Sequence, residues 1–240
     1  TLENPSATSS KVYDGNIASD RFNYVTDQPG VILDGIASYT SASANVGSYS
    51  VRDGTLRYGL FSDQQGYDIK VVGDPSLTIT PKALTLSGLT ANDKVYDGNT
   101  VATLSGGSLN GLVGDETLSL SGLFGTFADK QAGINKVVTV TGGLGNGSGL
   151  VSNYSFTNPT GLTANIDRAN LTVTANNANK TYDGQAWSGG NGLSYDGFVS
   201  GEDASVLGGA AIYSGSAQGA RDVGFYAISV DGLMADNYTI

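Results

Sequence analysis

Lys94-Val95-Tyr96-Asp97-Gly98 decides how this chain is read, because Lys11-Val12-Tyr13-Asp14-Gly15 precedes it and Lys180-Thr181-Tyr182-Asp183-Gly184 follows it. The three tyrosines stand 83 and 86 residues apart, the length of a small domain and too long for one solenoid turn. The 240 residues therefore divide into three tandem modules, 1–81, 82–167 and 168–240, of which the first is the most divergent.

Other features fall into register with the motif. A small residue and a glycine open an alternating stretch in each module: Val46-Gly47-Ser48-Tyr49-Ser50-Val51, Ala132-Gly133-Ile134-Asn135-Lys136-Val137-Val138 and Val223-Gly224-Phe225-Tyr226-Ala227-Ile228. A second tyrosine follows the motif tyrosine by 54, 58 and 56 residues, at Tyr67, Tyr154 and Tyr238, and the last two lie in Asn153-Tyr154-Ser155 and Asn237-Tyr238-Thr239. Between modules, Leu77-Thr78-Ile79-Thr80 leads through Pro81-Lys82 into Ala83-Leu84-Thr85-Leu86, and Leu162 to Ile166 leads through Asp167-Arg168 into Ala169-Asn170-Leu171-Thr172-Val173-Thr174. Period-two alternation on both sides of so short a hinge predicts that one module's last strand runs almost directly into the next module's first. With no Gly/Ser tract there, the joint is expected to be stiff. Module three ends at Ile240, two residues after Tyr238, whereas the others run about a dozen residues further, so it is expected to lack a closing strand.

Glycine at 35 positions, 13 tyrosines and only 14% charged residues describe a β-rich chain with many turns. The expected fold is all-β: three small modules, sandwich-like, with a β-grasp-like sheet and at most one short helix each as the alternative. Asp-Gly, Asn-Gly and Gly-Gly pairs supply tight turns and favour antiparallel pairing. The best helical candidate is 200–207, capped by Ser200 and stopped at Gly208-Gly209. Gly114 to Leu118 and Asp27-Gln28-Pro29-Gly30 are weaker counterparts. Without cysteine, no disulfide or thiolate site supports these small domains, a composition that also suits export in an unfolded state. Thr1 opens in polar sequence with no signal peptide, so the chain reads as an excised or processed segment. No stretch approaches the roughly 20 apolar residues of a membrane span. A net charge of −10 argues against nucleic acid and anionic lipid as partners, its first consequence being solubility.

With neither histidine nor cysteine, catalysis would fall to carboxylates or lysine, and no enzyme activity is expected. Asp115-Glu116 and Glu202-Asp203 could in principle do glycosidase chemistry, but adjacent acids at a loop or helix start are usually solvated or act as caps. No catalytic or cofactor-binding residue is assigned. In a strand the motif's lysine and tyrosine share a face, so the ring is expected under the lysine stem, with Asp-Gly turning the chain. Tyr13, Asp14, Gly15, Tyr96, Asp97, Gly98, Tyr182, Asp183 and Gly184 are on this reading structural, and the tyrosines packed rather than presented. The alternatives are one surface site per module, or a lysine-to-amide crosslink from Lys11, Lys94 or Lys180. Calcium is the single metal that oxygen-rich loops would suit, loosely at Asp74 or Asp167, but no loop has EF-hand spacing and no metal ligand is assigned. Trp187, the sole tryptophan, is expected to be partly buried; its alternative is an exposed platform contacting sugar. Asn146, Asn153, Asn170, Asn179 and Asn237 open N-glycosylation patterns, most by coincidence in so Asn/Ser/Thr-rich a chain.

The Lys-Val-Tyr-Asp-Gly-Asn motif, Gly125 to Lys130 and Lys136-Val137-Val138-Thr139-Val140 resemble the bacterial YDG domain. Residues 170–240 resemble the related MBG domain through 171–176, 197–204, Gly224-Phe225-Tyr226-Ala227-Ile228 and Asn237-Tyr238-Thr239-Ile240. Module one matches only at its motif, at Val46-Gly47-Ser48-Tyr49 and in its last strand. The resemblance implies repeat modules of large bacterial surface proteins, including filamentous-haemagglutinin-like adhesins exported by two-partner secretion. On that basis the chain is expected outside the cell or on the bacterial surface, as a non-catalytic stalk segment. Its expected partners are other domains of the same long chain, and host or matrix glycan or protein. Direct glycan or protein binding by the modules themselves is the alternative.

Overall fold

The computed structural model describes residues 2–3, 8–21, 34–50, 54–61, 71–72 and 75–240. Tyr67, Asp74 and the turn at 27–30 lie outside the described residues. The chain is all-β: among the described residues the helical elements are two single 3-10 turns, Val151–Asn153 and Ala204–Val206. It collects into two compact units that cross the motif period. One comprises residues 1–88, 107–123 and 142–158, the other 89–106, 124–141 and 159–240. Each unit unites parts of two consecutive modules.

In the first unit, strand Thr8–Val12 pairs in parallel with Ser76–Thr80, whose other edge takes Gly47–Ser50 antiparallel. A second sheet places Asp34–Ser41 between Ser19–Arg21 and Leu56–Phe61, both antiparallel. Alternation in Ser76–Thr80 turns Leu77 and Ile79 inward. They join Tyr13, Tyr39, Tyr49 and Leu56 in one core, and this core also takes Leu84 and Tyr154 from module two. Tyr154 arrives on the short strand Tyr154–Phe156, which runs parallel to 82–84.

The second unit repeats the plan one period on. Its five-stranded sheet has the order Lys94–Val95, Leu162–Asp167, Gly133–Gly142, Leu123–Phe127, Val101–Ala102. Leu162–Asp167 turns Ala164 and Ile166 inward, where they meet Tyr96, Ala102, Phe127 and Val138. Ala169, Leu171 and Tyr238 from module three complete the core, with Phe198, Val199 and Leu207 against its edge. Strand Ala169–Asn170 runs parallel to Tyr238–Thr239, and the hairpins Thr172–Ala175/Leu193–Asp196 and Gly208–Ser214/Ser229–Met234 complete the unit.

Two expectations need correction. Antiparallel pairing is common, but each of the first two motif strands pairs in parallel with its own module's closing strand, an arrangement that short turns do not announce. Residues 200–207 form no α-helix. Gly201 takes a left-handed φ of +86°, and the Asp203 carboxylate, not Ser200, accepts the Ser205 amide to cap a single 3-10 turn.

Candidate functional site

The motif builds the same turn three times. The lysine ammonium lies 2.6, 2.7 and 2.8 Å from the aspartate three residues on, at Lys11–Asp14, Lys94–Asp97 and Lys180–Asp183. The aspartate accepts the amide two residues later, from Asn16, Asn99 and Gln185, and the lysine closes the loop on the same residue's carbonyl. Gly15, Gly98 and Gly184 turn the chain at φ near +80°, +79° and +73°, a region that disfavours any side chain. The Lys11 and Lys180 hydrogen bonds and the local amides hold the Asp14 and Asp183 carboxyls below the usual range. At Asp97 burial works the other way, and Lys94 with the Asn99 amide outweighs it.

What surrounds the tyrosine distinguishes the three copies. Tyr13 donates its phenol to Glu116 Oε1 at 2.5 Å, and Tyr154 donates to Oε2 of the same carboxylate at 2.5 Å. The Tyr154 hydroxyl also accepts the Val113 amide, and the two rings meet edge to face with centroids 5.4 Å apart. One period later the arrangement recurs: Tyr96 and Tyr238 each donate to one oxygen of Glu202 at 2.5 Å, Tyr238 accepts the Val199 amide, and the rings stand 5.6 Å apart. Lys130 adds an ion pair to Glu202 at 3.3 Å. In both cases the first tyrosine belongs to one module and the glutamate and second tyrosine to the next. The arrangement is a clasp across the module junction.

Neighbouring residues fasten the same joint. Asn153, 1% exposed, accepts the Val46 amide and donates to Asn45; Asn237 accepts the Ala132 amide and donates to Gln131. A Cβ on Gly15 would meet a Val113 methyl at 3.0 Å, and one on Gly98 a Val199 methyl at 3.1 Å. The motif glycine thus makes the turn and leaves room for the next module.

A phenol shared with a carboxylate resists ionisation, because losing its proton puts two negative charges side by side. Burial, with the Glu116 and Glu202 hydrogen bonds, pushes the Tyr154 and Tyr238 phenols up to about 12. Tyr13 is raised by its Glu116 hydrogen bond and burial, Tyr96 by burial and its Glu202 hydrogen bond. Burial alone would raise the Glu202 carboxyl, but the hydrogen bonds from Tyr238, Tyr96 and Lys130 bring it below its ordinary value. Such a carboxylate is satisfied on both oxygens and holds elements together.

Of the motif tyrosines, Tyr13 and Tyr96 are packed as expected, in cores to which the following module contributes. Tyr182 departs from expectation: it is 64% exposed. Trp187 is half-buried, its indole N–H donating to Gly189. Asp167 contributes its carbonyl to the Tyr96 amide. Among the described residues no three His, Cys, Asp or Glu side chains gather into a metal-binding group. A shallow pocket of about 280 Å³ lies along 142–158, with Leu144, Val151, Tyr154 and Phe156 in its wall, slightly smaller than sites that enclose small ligands.

The clasp glutamates and the paired asparagines escape a motif-centred reading. A signal was there. The chain has three glutamates, and two of them, Glu116 and Glu202, each stand 20 residues after a motif tyrosine.

Residues 80–161 match the YDG domain and residues 171–240 match the MBG domain of the YGX type. The two matched segments follow one another along the chain, each covering about a third of it. No curated protein and no solved structure gives a significant match.

Proposed function

We propose that this chain is a non-catalytic repeat segment of a large bacterial surface or secreted adhesin, extending a binding region away from its point of attachment. The observation that carries this reading is the twice-built Tyr-Glu-Tyr clasp, whose two halves come from consecutive modules. Both of these polar constellations connect modules, with each glutamate oxygen already taken by a tyrosine. A spacer needs joints that resist parting, and edge-to-face aromatic pairs with charge-assisted hydrogen bonds provide resistance without metal or disulfide. Its acidic surface keeps a long array soluble and discourages self-association. Its partners on this reading are the flanking domains of the same polypeptide.

The test is an array of glycans and matrix proteins probed with the full chain, together with pulling from its two ends. Absence of binding, with unfolding forces that fall on Tyr96→Phe, supports the spacer. Reproducible binding that disappears on Trp187→Ala would instead make the modules themselves the adhesive element, since Trp187 keeps part of its ring in solvent.

A further inference from the structure

The third motif turn has the geometry of the first two and none of their cover. Lys180 and Asp183 form the same ion pair, Asp183 accepts the Gln185 amide, and Gly184 takes the same left-handed φ. Tyr182 nevertheless stands 64% exposed, against 5% and 3% for Tyr13 and Tyr96. A Cβ on Gly184 would meet nothing within 4 Å, whereas those on Gly15 and Gly98 would touch a valine of the next module. Val46 and Ala132 give their amides to Asn153 and Asn237; their counterpart Val223 is 87% exposed, and Phe225 beside it is fully exposed. Residues 180–181 also lie outside any strand, while Lys94–Val95 and Thr8–Val12 are paired with closing strands.

We propose that the surface formed by Tyr182, Gly184, Val223 and Phe225 is a docking face for a further module of the same kind. The occupant is specified by the two completed junctions. The connection to it supplies the third module's own closing strand, to pair in parallel with 180–181 as in the first two modules, and the further module brings a glutamate that accepts the Tyr182 phenol. It also brings an Asn-Tyr pair, whose tyrosine packs edge to face on Tyr182 and whose asparagine accepts the Val223 amide. A valine closes over Gly184. This inference concerns what the face accepts and does not depend on where the array is displayed. A second copy of this chain is a poor occupant, because its Glu116 and Glu202 already hold two tyrosines each.

The test is a full chain extended after Ile240 by a repeat of residues 157–240, which continues the period in register because residues 238–240 occupy the place of 154–156. The appended copy carries Tyr182→Phe, so that the original Tyr182 is read unambiguously. Nitration by tetranitromethane, mapped by mass spectrometry, modifies Tyr182 readily in the 240-residue chain. In the extended chain its rate should fall by about tenfold or more, with Tyr13 and Tyr96 protected in both as internal markers of folding. Glu202→Gln in the appended copy should return part of that reactivity. A second extension, residues 157–168 followed by 82–156, offers Glu116 and Tyr154 instead and should protect equally, which covers failure of either extension to fold. Unchanged nitration of Tyr182 in a folded extension would overturn the proposal. So would protection in the 240-residue chain that grows with concentration, because a second copy would then occupy the face.

Discussion

Gly98 and Gly184 occupy the same motif position at similar φ, and they separate what the turn needs from what the junction needs. Alanine at either must adopt a left-handed backbone, at a cost of about 1–2 kcal/mol. At Gly98 the new methyl also presses on Val199, so Gly98→Ala should destabilise more than Gly184→Ala in urea melts. Equal losses would mean that the valine simply moves aside. The clasp makes a second prediction. Tyr96→Phe removes a hydrogen bond to a part-buried carboxylate and should cost about 1.5–3 kcal/mol. Tyr96→Phe combined with Glu202→Gln should cost less than the two single losses together, since both act on one constellation. The phenols set a pH limit. Their folded-state pKa lies above the ordinary 10.0, up to about 12 at Tyr154 and Tyr238, so the stability they contribute is complete below 10 and lost as pH rises towards 12. Tyrosinate absorbance should show these four phenols ionising late and together with unfolding; early, independent ionisation would remove the clasp from the account.

Strands were the more legible level. Period-two alternation located the strand from Leu162 to Ile166, which the structure extends to Asp167 with Ala164 and Ile166 turned inward, because one face of that strand is buried and the other wet. Ile166→Ala should cost about 2–5 kcal/mol, a loss readable as an earlier thermal transition. The parallel partner of Lys94–Val95 was not legible, since it lies some 70 residues away and pairing at that distance leaves no local mark. The capped turn at 203–206 was half legible: the acids were placed at a cap, yet Gly201 and the glycine pair at 208–209 allow only one turn where the pattern suggested two. At the candidate site, the Tyr-Asp-Gly turn could be read from its residues because its bonds are local. The partners of its tyrosine could not, because Glu116 lies 103 residues beyond Tyr13 and Glu202 lies 106 beyond Tyr96.

At the scale of the molecule, each core belongs to a junction. A module of about 80 residues buries too little surface to be comfortable alone, and sharing Tyr154 or Tyr238 with the preceding module enlarges what each can bury. Stability should then follow nearest-neighbour rules, with interfaces counting alongside modules. Deleting residues 82–168, which joins module one to module three in register, should give a folded chain in which Tyr13 binds Glu202 and packs on Tyr238. Protection of the Tyr13 ring from nitration in that shortened chain is the check; a reactive Tyr13 would show that the junctions are not interchangeable.

The period of duplication and the period of packing are thus out of phase by part of a module. A cut at 81/82 or 167/168 passes through a core, whereas insertion or loss of one whole period, wherever it begins, regenerates the contact it interrupts. Adding or removing a whole period would change the length of such an array without requiring a new interface.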